Sequence, residues 1–305
     1  MSRPEYNDRR NWNEHETLTT DGSGYFGAGR LHDLSADGRV ITLGFALAGS
    51  DYFAGDITDP TGGTAMVCGG PGVGQSARIV GTSSTTADGT NRTQLHLASS
   101  LDEHVVPNST KLCLVASVGS KIISGNAFSW GMVVQWVGTT IRGVIADNRF
   151  TDMNVNQGRG AIMGTGCCYN GPQPVWQAEY TGNQLTRSNG ITLYDAVLPG
   201  VYPLCNSSTY PGPFTRWQII RRNTIAGVAL SACYHESGYG SCNGSVYLPS
   251  SPPCGTINIV WAGVGLGTPA NVSTDVVVEK NKFDCPSGSV QPPIDVSCSH
   301  CKVLT

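Results

Sequence analysis

Five times between residues 122 and 283 the chain runs through a brief β-favouring stretch into an asparagine, then a spacer and, in each copy, an apolar residue. The copies are Ile122-Ile123-Ser124-Gly125-Asn126-Ala127-Phe128, Val144-Ile145-Ala146-Asp147-Asn148-Arg149-Phe150, Tyr180-Thr181-Gly182-Asn183-Gln184-Leu185, Ile219-Ile220-Arg221-Arg222-Asn223-Thr224-Ile225 and Val277-Val278-Glu279-Lys280-Asn281-Lys282-Phe283. Their asparagines stand 22, 35, 40 and 58 residues apart. The shortest interval reads as a basic coil and the longer ones as the same coil carrying insertions. In a parallel solenoid, successive coils lie ~4.8 Å apart. An inward asparagine at each bend tolerates left-handed backbone and passes amide hydrogen bonds to its neighbours above and below. The apolar residue two positions on points to the same interior.

Composition suits this architecture. Charged residues make up 13% of the 305, while 39 glycines and 17 prolines fit short strands joined by many turns. No stretch sustains helical periodicity over three turns. The net charge of −3, with no basic cluster beyond Arg9-Arg10 and Arg221-Arg222, argues against a nucleic-acid partner. No apolar run is long enough to span a bilayer.

Eleven cysteines exceed the usual complement of a cytosolic enzyme and point to disulfides, with Cys205, Cys233, Cys242 and Cys254 as staples of the two longest insertions. The vicinal Cys167 and Cys168 are expected to take different partners. The odd count leaves a thiol free or paired outside the chain. Cys298-Ser299-His300-Cys301 lacks both the second pair that a zinc site needs and the βαβ setting of a redox motif, so no metal and no cofactor are expected. Sequons at Asn91, Asn108, Asn206, Asn243 and Asn271 all fall in expected loops. Together these features predict a secreted, glycosylated protein, although Met1 to Tyr6 is polar and carries no leader.

The repeats resemble the right-handed parallel β-helix proteins of the pectate-lyase-like superfamily over roughly residues 70 to 285. Gly72 to Val80, Gln94-Leu95-His96-Leu97, Val133-Val134-Gln135-Trp136 and Asp147-Asn148-Arg149-Phe150 carry the similarity. The expected fold is therefore all-β: a right-handed parallel β-helix with long loop insertions and an irregular N-terminal cap. Residues 1–20 read as an extended arm and 21–285 as one domain, with 21–70 the cap and 71–285 the coils. Residues 286–305 read as a disulfide-tied tail. Gly69 to Gln75 lacks the Gly-Lys-Ser/Thr ending of a phosphate loop and leads into a strand, so it reads as a turn. Asp21-Gly22-Ser23-Gly24 offers too few oxygens for a calcium loop.

In the family resembled, the strand after the asparagine bend leads to the first sheet of the next coil. That order implies rungs at 131–137, 160–166, 190–196 and 227–233, with Ile191, Leu193, Val228 and Leu230 inward. Val133, Gln135, Ile162, Gly164, Thr192, Tyr194, Ala229 and Ser231 are expected outward. Asp152, Asn154, Asn156, Arg159, Arg187, Asn189, Asp195, Tyr234, His235 and Glu236 flank this face. Such a groove suits an extended polysaccharide, because aromatic faces cover sugar rings and guanidinium groups pair with uronate carboxylates. Gln135, Trp136, Arg159, Arg187, Thr192, Ser231 and Tyr234 are the expected binding residues. A hydrolase would use Asp195 and Glu236 as its carboxylate pair. A lyase would use His235 or Tyr194 as base, with Arg159 or Arg187 on the uronate. The signatures of the well-studied pectate lyases and polygalacturonases are missing. The competing expectation is a non-catalytic helix that self-associates as an adhesin, coat or fibre.

Overall fold

The computed structural model describes residues 18–22, 25–47, 49–51, 55–57, 59–116, 119–129, 134–153, 162–165, 167–168, 171–172, 174–188, 190–194, 215–226, 256–259, 275–284, 294–296 and 302–304. Among them every regular element is a strand. Two six-stranded sheets, one of five and one of three are parallel throughout, as a solenoid-like stack requires. The first holds Leu18–Gly22, Val134–Gly138, Ile162–Thr165, Gly190–Tyr194, Thr256–Ile259 and Ile294–Val296. The second runs from Ile122–Ser124 through Val144–Ala146, Glu179–Thr181, Ile219–Arg221 and Val277–Glu279 to Lys302–Leu304. The third stacks Ala127–Ser129, Arg149–Thr151, Gln184–Thr186, Thr224–Ala226 and Lys282–Asp284.

The asparagines form the column expected of them. The Nδ2 groups of Asn126, Asn148, Asn183 and Asn223 donate to Oδ1 of the next asparagine at 3.2, 3.1, 3.0 and 2.9 Å. Each Oδ1 also accepts the backbone N–H of the preceding asparagine. The same Nδ2 groups of Asn148, Asn183, Asn223 and Asn281 reach back to the carbonyls of Ile123, Ile145, Tyr180 and Ile220.

The left-handed residue, however, is the one before each asparagine: Gly125, Asp147, Gly182, Arg222 and Lys280 have φ of 72°, 55°, 65°, 54° and 53°. That residue makes the turn, and the asparagine then points inward to tie it. Left-handed residues also stand at 142, 147 and 152, then at 177, 182 and 187, so a three-residue strand separates successive bends. The middle residue of each strand faces the interior. Ile123, Ile145, Tyr180, Ile220 and Val278 form one core column, and Phe128, Phe150, Leu185, Ile225 and Phe283 form the next. Phe128 and Phe150 stack at 5.2 Å. Glycine at 182, with φ of 65°, leaves room for the Asp147 carboxylate of the preceding winding.

Residues 18–22 are the first rung of the first sheet, which corrects their reading as part arm and part cap. The chain returns to the same winding at 119–121, where the Gly119 and Lys121 carbonyls accept from Ile141 and Val144 N–H. Between these points lies a separate antiparallel structure, which corrects the expectation that coils begin at 71. Tyr25–Leu34, Val40–Leu43, Thr90–Leu97, Ser76–Ala87, Thr64–Gly69 and Lys111–Val115 pair in that order, and the last pairs back to the first. This six-stranded barrel has no open edge in the ring. Its local hairpin explains the antiparallel pairing: Asp88 and Gly89, both left-handed, form the two-residue turn that reverses the chain on itself. Leu31, Ile41, Ile79, Leu95, Leu112 and Leu114 fill its interior. The Cys68–Cys113 disulfide joins neighbouring strands and is fully buried. The expected staples Cys205, Cys233, Cys242 and Cys254 lie outside the described residues, as do Cys298 and Cys301.

The expected tail is also part of the stack, since Ile294–Val296 and Lys302–Leu304 add rungs to the first and second sheets. If the column holds the windings in register, Asn183→Ala lowers stability by roughly 3 kcal/mol, because it strips buried donors and acceptors from two windings. Asn126→Ala, at the exposed first bend, costs about 1 kcal/mol or less. Denaturant midpoints that fell equally in the two variants would contradict this account.

Candidate functional site

The first sheet offers the face on which the expected groove was built. Val134, Ile162 and Ile191 occupy one register position and are fully buried, as are Trp136 and Leu193 at the next inward position. Gln135, Met163, Thr192 and Asn258 share the intervening position, on the face away from the core, in line with Thr19 above and Asp295 below. Tyr194 pairs with Thr165 one step further on the same face. Ile162 and Gly164 therefore belong to the inward set, contrary to expectation. The count of the second rung slips by one residue because Ile162 pairs with Val134 and Ile191, both inward.

Trp136 is likewise corrected as a sugar-binding residue. Its side chain is 0% exposed and lies inside the coil beside Gly143, where no sugar can stack on it. Its indole approaches the Tyr180 hydroxyl without the geometry of a hydrogen bond. Burial pushes that hydroxyl far above the ordinary tyrosine range, so Tyr180 stays neutral.

Arg187 stands at a left-handed bend beside the first sheet and grips Asp152, one winding away. Its Nε and Nη2 donate to the two carboxylate oxygens at 2.7 Å each. Asp152 is 1% exposed and Arg187 45%, and the carboxylate holds the guanidinium above its usual range. The pair is first a tie between bends, and only the donors on Nη1 and the remaining Nη2 hydrogen are left for a ligand. Arg221 does similar work on the second sheet, contacting Glu179 at 2.8 Å and Glu279 at 3.9 Å across successive windings.

Asp195, Glu236, His235, Arg159, Ser231 and Tyr234, with the flanking Asn154, Asn156 and Asn189, lie outside the described residues. So do the sequons at Asn206, Asn243 and Asn271. Asn91 and Asn108 are exposed, the first beside the hairpin turn and the second at a left-handed turn with φ of 61°. Among the described residues no three His, Cys, Asp or Glu side chains converge in a way that could hold a metal. Also among them, no helix is long and apolar enough to cross a membrane. The Asp102 and His104 pair braces a turn: the His104 backbone N–H holds the exposed Asp102 carboxylate below its usual range.

Removing the guanidinium strands the Asp152 carboxylate in the interior. Arg187→Ala therefore lowers the thermal midpoint, and adding Asp152→Ala to it restores part of the loss. A double variant no more stable than Arg187→Ala alone would count against the tie.

No model of a known protein family matches the chain, and no curated protein sequence matches it either.

Proposed function

We propose that this chain is an extracellular right-handed parallel β-helix protein of the pectate-lyase-like kind, which binds and cuts an extended polysaccharide along the outer face of its first sheet. The observation that carries the reading is the register of that sheet. Thr19, Gln135, Met163, Thr192, Asn258 and Asp295 share a position on strands stacked ~4.8 Å apart. A row in which five of six residues can hydrogen-bond, with Met163 the apolar member, suits a ligand that is itself long and repetitive. Tyr194 beside them is the residue on this face best suited to cover a sugar ring. The buried Cys68–Cys113 disulfide fits an oxidising compartment.

In the hydrolytic form, Asp195 and Glu236 act as acid and as base or nucleophile; a pair ~5 Å apart retains the stereochemistry and a pair up to ~9.5 Å apart inverts it. In the lyase form, His235 or Tyr194 removes the proton beside the uronate carboxylate. Arg159 then carries the larger share of the charge on that carboxylate, since Arg187 is held by Asp152. The full chain is incubated with a panel of neutral and uronate glycans, following reducing ends and unsaturated-end absorbance. Hydrolysis should disappear, by at least 100-fold, in Asp195→Asn and in Glu236→Gln. Retention of glycan binding and cleavage in both variants would remove this site, and silence across the panel would remove the enzymatic reading.

One observation favours a second reading, assembly of copies end to end. Large exposed apolar side chains gather at the outermost described rungs: Leu18 and Ile122 (74% exposed) at one end, Val303 and Leu304 at the other. Sedimentation should then show concentration-dependent polymers that Ile122→Lys and Val303→Lys disperse. A wild-type chain monomeric at high concentration would rule this out.

A further inference from the structure

The outer wall of the barrel carries a polar cluster unrelated to the first sheet. Gln94 lies opposite Thr42 on one side and Ser83 on the other, while His96 lies opposite Gly81 and Arg92 opposite Thr85. The side chains are linked. Gln94 Nε2 donates to Thr42 Oγ1 at 3.3 Å, Ser83 Oγ donates to Gln94 Oε1 at 3.3 Å, and His96 Nε2 meets Ser83 Oγ at 2.9 Å. With the serine proton directed to Gln94, His96 Nε2 is the donor of the last pair, and the chain runs in one direction. Its oxygens then accept from within the cluster. Apart from His96 Nδ1, an acceptor in the neutral ring, the groups left over are donors: the Thr42 hydroxyl hydrogen and the second Gln94 N–H.

Arg92 stands two residues from Gln94 on the same face, ~7 Å along the strand. Its Nε is buried with no hydrogen-bond partner, and its Nη1 reaches only the Leu43 carbonyl at 3.5 Å. Among the described residues no carboxylate forms an ion pair with it. Of the neighbouring acids, Asp88 pairs with His32 at 3.5 Å, and Asp33, exposed opposite Thr42, accepts from the Leu34 N–H and forms no ion pair with Arg92. Thr42 is 4% exposed, and Ser83, Arg92, Gln94 and His96 are half-buried. A partly desolvated guanidinium with no counter-ion among the described residues, next to unused donors, is unfavourable until an anion arrives.

From this we infer that the barrel wall around Arg92, Gln94 and Thr42 binds an oxyanion, the carboxylate or sulfate ester of an acidic sugar. The guanidinium takes it through paired hydrogen bonds, and the Gln94 amide and Thr42 hydroxyl take a further oxygen. The ligand class rests on the polysaccharide reading above, but the site does not share its residues. The barrel thereby gives an acidic chain a second point of attachment, away from the sheet where cutting is placed.

Calorimetry on the full chain with trigalacturonate, a sulfated trisaccharide and neutral maltotriose tests this. Wild type is expected to bind at least one charged trisaccharide at least tenfold more tightly than maltotriose, and the stronger of the two identifies the oxyanion. Arg92→Gln should reduce that binding at least tenfold with an unchanged thermal midpoint. Arg92→Lys, which keeps the charge but loses the fork, should fall between them. Equal binding by wild type and a folded Arg92→Gln overturns the inference, as does equal affinity for all three sugars or no binding of either charged one. If Tyr194→Ala abolishes the charge preference while Arg92→Gln leaves it intact, the oxyanion sits on the first sheet. The barrel site then falls while the polysaccharide reading stands.

Discussion

A buried amide that must find four partners holds the windings in register. Asn183 donates to the Ile145 carbonyl and to Asn223, and accepts the N–H and the side-chain amide of Asn148. Each winding is thereby fixed to the one before and the one after, at a position where the backbone has just turned. Sliding by one residue would put the spacer position, which holds Arg149, Gln184, Thr224 and Lys282, into the column and leave those groups unpaired. The energetic asymmetry of hydrogen bonding makes that error expensive, since an unmet buried group costs more than a formed bond contributes. Elsewhere the column changes character: at the first bend the inward residues are Gly143, Ala178, Gln218 and Val276, and only Gln218 ties backbone carbonyls.

The bends themselves follow a cadence of five residues, with a left-handed residue closing each three-residue strand. Most of these residues are not glycine. Arginine, lysine, aspartate, glutamine and one tryptophan adopt a conformation that costs roughly 1 to 2 kcal/mol each. The stack supports that strain because most of these turns are followed by an inward side chain buried on the core, among them Asn148, Met153, Asn183, Gln218 and Val276. Trp217, the bulkiest of them, also packs edge-on to Trp176 and lies against Gly74 of the barrel. It joins the inserted barrel to the fourth winding, the one that holds Asn223.

The repeats were legible because their signal is local. Ile, Val and Tyr precede each asparagine, and a chain of this kind shows its period without reference to distant residues. Reading the antiparallel barrel from the same chain was harder. Its strands at 76–87 and 90–97 alternate apolar and polar as any strand would, and nothing local says whether the partner runs parallel or antiparallel. Asp88-Gly89 was the available signal, and its two-residue turn permits only the antiparallel answer. The site was less legible than the fold. Trp136 looks like a surface aromatic in isolation, and only the register that pairs it with Gly164 and the buried Gly143 neighbourhood places it inside. The cluster at Arg92, Gln94 and His96 alternates along one strand and so could have been noticed, but Thr42 and Ser83 come from strands remote in sequence.

The sequence by itself determined that the chain stacks on asparagines 126, 148, 183, 223 and 281, because residue identity and spacing carry the bend, the tie and the inward apolar position together. Tertiary structure alone decided where the first winding begins, that a closed barrel is inserted into it, and which cysteines meet. Those outcomes depend on which strand edges remain open when others have paired. That competition among distant segments leaves no mark in any short stretch of sequence.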